Sequence, residues 1–170
     1  MVQTAVPDED ITAGNQGTIS TTAGGGTYYT EIDDGLGAGS ESTYVTLSAG
    51  GTTAKIKVGL ESLSTPQAGT RSVKIHARNT GFGTDSLDVL LDDGTDTETV
   101  TINNISTSFS NQSATFTTDF NWSSLTAQLI YTTNFFSIEV AGLEVEIPDA
   151  GGGGGGEGPK LNPEAFLMFL

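Results

Sequence analysis

Cysteine is absent from the 170 residues, so neither a disulfide nor a thiolate-bound metal holds this fold. No apolar run approaches the roughly 20 residues that span a bilayer. The opening MVQTAVPDEDITAG lacks the charged-then-apolar layout of a secretion signal, so no membrane partner is expected. Basic residues are scarce: 6 Lys and Arg stand against 21 Asp and Glu, a formal charge of −15. Such a surface repels a phosphate backbone, which argues against a nucleic-acid partner, and it keeps the chain soluble. There is one histidine, His76, so a multi-histidine metal site has no partners. Nothing singles out a nucleophile to stand beside it. Helical periodicity is missing until the last ten residues.

What is present is alternation. The clearest stretch runs from Arg71 to Asp92. Val73, Ile75 and Ala77 alternate with Ser72, Lys74, His76 and Arg78, then Leu87, Val89 and Leu91 alternate with Asp88, Leu90 and Asp92. That is the two-residue period of strands with one buried face. Asn79 to Asp85 between them is rich in residues that tolerate turn geometry. Shorter runs repeat the pattern at Tyr44–Leu47, Ala54–Leu60, Val100–Ile102, Ala114–Phe120 and Leu125–Tyr131. Phe136, Ile138 and Val140 share one face. Leu143, Val145 and Ile147 resume on the other parity, so Gly142 marks a bulge or kink. About eight strands separated by short turns predict an all-β protein, an antiparallel β-sandwich of jelly-roll type. Trp122 is expected to plug one end of that core, with an exposed, ligand-stacking role as its alternative.

The ends differ from the middle. Residues 1–26 offer little to bury and read as an extended arm that orders against a neighbour. Residues 27–149 form the sandwich. The hexaglycine Gly151–Gly156 lies in a flexible linker, residues 150–160. Residues 161–170, LNPEAFLMFL, follow. Asn162 suits a helix cap and Pro163 the first helical position, but so short a helix is marginal alone. Leu161, Phe166, Leu167, Met168, Phe169 and Leu170 are therefore expected to dock on a partner or sister subunit. Folding back on the sandwich and touching a membrane surface are the other fates, and the segment lacks the basic face of a membrane helix.

Candidate chemistry is sparse. Asp8-Glu9-Asp10, Asp33-Asp34 and Asp92-Asp93-Gly94-Thr95-Asp96 offer oxygen ligands of the type calcium takes. None has the spacing of a calcium loop, and Asp-Gly is ordinary turn chemistry. No cofactor or metal is expected. No pair of carboxylates is marked for glycoside hydrolysis, and Gly81-x-Gly83 lacks the surroundings of a phosphate loop. Asn104, Asn111 and Asn121 match the glycosylation pattern, as expected by chance in a chain so rich in Ser, Thr and Asn.

Several segments together resemble small structural proteins of tailed bacteriophages. They are Ile32-Asp33-Asp34-Gly35, Ser42–Val45, Lys57-Val58-Gly59-Leu60 with Pro66, Val73–Arg78, Leu87–Gly94, Trp122–Leu125 and Leu143–Pro148. The resemblance spans about residues 28–148. It implies a non-enzymatic virion protein, a head decoration (cement) or minor virion component. Such a protein would meet major capsid or tail proteins through its C-terminal tail and form a homo-oligomer, a trimer if it sits at a three-fold position. It would be assembled in the host cytoplasm. The alternative is a carbohydrate-binding or host-attachment module, with Trp122, Tyr131, Phe135 and Phe82 as the aromatic residues for sugar contact.

Overall fold

The structure, a computed structural model, describes residues 1–22, 27–33, 36, 41–48, 53–132 and 136–149. The linker 150–160, the docking residues Leu161, Phe166, Leu167, Met168, Phe169 and Leu170, and also Asp34 and Phe135 lie outside these.

Eleven strands are present among the described residues: β1 (Val2–Ala5), β2 (Pro7–Gln16), β3 (Thr18–Thr21), β4 (Val45–Ser48), β5 (Ala54–Leu60), β6 (Arg71–Asn79), β7 (Asp85–Asp92), β8 (Thr97–Ile105), β9 (Ser110–Phe116), β10 (Thr126–Tyr131) and β11 (Ser137–Pro148). Among the described residues the one helical element is a 3-10 turn, Tyr29–Glu31. One sheet runs β3-β4-β11-β6-β9, with β1 also paired to β11, and the other runs β2-β5-β10-β7-β8. All pairings are antiparallel. From β4 onward the chain changes sheet at every step except the β7–β8 hairpin, which is the winding of a jelly roll. The expected fold class is what the structure has.

Alternation explains the core. Val73, Ile75 and Ala77 of β6, Leu87, Val89 and Leu91 of β7, and Ala127, Leu129 and Tyr131 of β10 are all buried between the sheets. Each large aliphatic side chain so placed contributes about 1.5–3 kcal/mol. In β11 the register slips between Val140 and Gly142, so the inward set passes from Ile138 and Val140 to Leu143, Val145 and Ile147. This is the parity change visible in the sequence.

Of residues 1–26, expected to be an arm that orders against a neighbour, residues 1–22 are described, and they pair within their own chain instead. β1 pairs with the second half of β11, β2 with β5 and β3 with β4. The segment carries few large apolar groups, so backbone and polar contacts hold it. Asp10 Oδ1 accepts from the N–H groups of Tyr28 and Tyr29 at 2.9 and 2.8 Å, and Gln3 Oε1 accepts from Ser64 N at 2.9 Å. Sequence patterning by hydrophobicity does not register such contacts.

Candidate functional site

The most developed side-chain constellation lies on the outer face of the six-stranded sheet. Outward positions on β6 are the polar members of the alternation, Lys74, His76 and Arg78. Strand pairing sets Glu139 of β11 beside Arg78 and Asn111 of β9 beside His76. Arg78 Nε donates to Glu139 Oε2 at 2.5 Å. The guanidinium carbon sits 4.5 Å from the ring centre of Phe109 and 5.7 Å from that of Tyr44, positions that favour cation–π attraction. The two rings are 5.8 Å apart. Among the described residues Nη1 and Nη2 of Arg78 have no hydrogen-bond partner, and 37 % of the side chain is exposed. The guanidinium is thus fixed at one edge and one face, and its remaining donors point to solvent.

His76 extends the cluster. Its ring stacks on Phe109 at 5.4 Å and 11°. Nδ1 shares a hydrogen bond with Asn111 Oδ1 at 2.6 Å, and Nε2 lies 3.6 Å from Glu41 Oε1. The side chain lies on the polar face, as the alternation predicts, and its neighbours cover all but 14 % of it. Asn111 also borders a shallow cleft of about 300 Å³ lined by Leu36, Lys74, Gln112, Ser113 and Glu144. Lys74 is ion-paired with Glu146 there. The result is a shelf of amide, hydroxyl and charged groups with half-buried aromatic rings at one end.

The four aromatic residues singled out for sugar contact have separate fates. Trp122 is 4 % exposed and packs with Phe116 and Phe120, at 6.3 and 5.9 Å between ring centres, under the Arg71 guanidinium. It is a core plug, and its stacking role is thereby removed. Tyr131 is wholly buried between the sheets, with its hydroxyl donating to Asp85 Oδ2 at 2.7 Å. Phe135 lies outside the described residues. Phe82 stands 90 % exposed on the β6–β7 turn, edge-on to Phe136 at 6.2 Å and 86°. It belongs to the opposite end of the sandwich from Trp122. The Tyr44–Arg78–Phe109 cluster escaped the sequence reading because Arg78 and Glu139 are 61 residues apart. Their outward parity was legible, but their adjacency depends on strand order.

The acidic turn resolves as turn chemistry. Asp92 Oδ1 accepts from Gly94 N, Asp93 Oδ1 from Thr95 N and Asp96 N, and Asp93 Oδ2 from Asn121 N. The Lys57 ammonium and the Gly94 N–H hold the Asp92 carboxyl below its ordinary range. The N–H groups of Asn121, Asp96 and Thr95 do the same for Asp93. Partial burial pushes the Glu98 carboxyl upward, but hydrogen bonds from Thr118 and Thr117 outweigh it and leave the group lowered. No cluster of three or more metal-ligating side chains is formed among the described residues.

No protein-family model matches the chain, and no curated protein matches it. Solved structures do. The CBM35 module of Abf62 from Cellvibrio japonicus superposes with a TM-score of 0.52 at 13 % identity, covering 88 % of this chain and 94 % of that one. The CBM36-1 domain of a multidomain xylanase from the hindgut metagenome of Trinervitermes trinervoides gives 0.46 at 16 %, covering 79 % and 98 %. The enzymatically active domain of bacteriophage CBA120 tailspike protein 4 gives 0.37 at 10 %, covering 86 % of this chain and 18 % of that one. These are carbohydrate-binding modules and a tailspike domain, not head decoration proteins. At such identities the likeness to the first is one of fold, and it assigns no binding residue.

Proposed function

We propose that the protein is a non-catalytic carbohydrate-binding module that takes its ligand on the outer face of the six-stranded sheet. The observation that carries this is Arg78. Its guanidinium is held by Glu139, Phe109 and Tyr44 with two nitrogens left to donate. A planar donor fork matches a pair of neighbouring sugar hydroxyls, and the flanking rings offer apolar surface to the C–H face of a pyranose. Asn111, Gln112 and Ser113 supply further neutral hydrogen-bonding groups, and the cleft they border also holds Lys74 and Glu144. The fold shared with the CBM35 module supports the class. The resemblance to virion proteins adds a setting, attachment to a host-surface glycan.

A glycan array followed by calorimetry tests the reading. Arg78→Lys keeps a charge for Glu139 and removes the fork, so affinity should fall by roughly 10-fold, the worth of one or two hydrogen bonds. Tyr44→Ala should weaken binding comparably with no release of reducing ends by either protein. An array without a binder, or affinity unchanged in both variants, would reject the proposal.

A further inference from the structure

The ends of the two sheets present five edge strands among the described residues, β1, β2, β3, β8 and β9. An unpaired edge invites another strand, and proteins usually blunt it with charge, proline, a bulge or brevity. Four of the five are blunted. β1 and β3 have four residues each. β2 contains Pro7, the acidic run Asp8-Glu9-Asp10 and two register shifts against β5. β8 slips in register against β7, and its Asn104 takes a left-handed φ of 63°. β9 has none of these devices. Ser110–Phe116 holds no charged residue, proline or glycine, and all seven residues pair with β6 in one unbroken register.

We infer that β9 is the contact through which two copies of this chain associate, antiparallel about a two-fold axis at Ser113, joining their six-stranded sheets into one. Pairing of the strand with itself sets Ser113 opposite Ser113 and Asn111 opposite Thr115. All of these are exposed, uncharged hydrogen-bonding side chains. A chain of charge −15 has few surfaces where copies meet without facing carboxylates. The open groove of about 660 Å³ between β9 and β8 has one charged group in its lining, Glu98. That carboxylate already accepts from Thr117 N and Thr118 N at 3.0 and 2.7 Å. A seven-residue strand pair buries less than the roughly 1,200 Å² of a standard interface, so the association is concentration-dependent. It also lays the two outer faces side by side, which turns two weak ligand sites into an avid pair. The inference does not rest on the glycan reading.

Sedimentation velocity on the full chain over a wide concentration range gives the test. The wild type should pass from monomer to dimer. Ser113→Lys and Ser113→Glu, each placing like charges face to face, should stay monomeric with unchanged circular dichroism, and an equimolar mixture of the two should dimerise again. A wild type that stays monomeric throughout overturns the inference. So does a dimer that both variants form as well as the wild type, or a mixture that fails to recover.

Discussion

Trp122 and Phe82 are both aromatic residues in segments rich in Gly, Ser, Thr and Asn, and only one is buried. Trp122 sits where Arg71 can cover it, since that guanidinium also donates to the Thr117 and Thr118 carbonyls and to Asp119. Trp122→Ala should therefore cost about 3–5 kcal/mol in chemical denaturation, the range for emptying a large aromatic site. Its fluorescence in the wild type should be blue-shifted and indifferent to added sugar. Gly81 makes a second residue-scale case. A Cβ there would fall 2.1 Å from the Phe136 ring, so the turn needs a residue with no side chain. Gly81→Ala should displace Phe136 and Phe82 and lower stability by about 1–3 kcal/mol, measured in the same way.

At the scale of elements, the β7–β8 hairpin ties pH to stability. Gly94, at φ 89°, closes the turn in a conformation that L side chains rarely adopt. Asp92 of this hairpin and Glu98 of β8 both have carboxyls lowered from ordinary values of 3.8 and 4.5. A group whose folded pKa lies below its unfolded one stabilises the fold fully above the unfolded value. That contribution is lost as pH falls through the unfolded and then the folded value. Urea midpoints should thus hold from pH 7 to about 5 and drop below pH 4.5, and Asp92→Asn should flatten part of the drop. A steeper loss between pH 7 and 5 would point to other groups. The bulge in β11 belongs to this scale too. It was legible because the inward residues change parity around Gly142, and no other register sets both halves of the strand against the core.

At the scale of the molecule, the arm is the informative misfit. Residues 1–22 bridge both sheets through β1, β2 and β3, yet their hydrophobic signal is weak. Deleting them uncovers the edges of β4 and β5 and the C-terminal half of β11. We expect a loss of several kcal/mol, read as a melting temperature lower by about 10 °C or more. An unchanged melting temperature would show that the sandwich is complete from β4 onward.

Residue order by itself determined the all-β class and the inward and outward faces of most strands from β4 onward, though it set β9 at Ala114–Phe120 where the structure has Ser110–Phe116. These follow from a local two-residue period that the windows between Tyr44 and Pro148 display. It also marked Asp92–Asp96 as a turn, because Asp-Gly chemistry is local. The tertiary structure alone decided which outward faces adjoin. Arg78, Glu139, Tyr44 and Phe109 meet because β4, β11, β6 and β9 are neighbours in one sheet. It likewise decided that Trp122 is covered, that Phe82 is not, and that the first residues find partners inside the chain. Each of these turns on contacts between segments tens of residues apart, and sequence spacing does not encode which distant strand lies beside another.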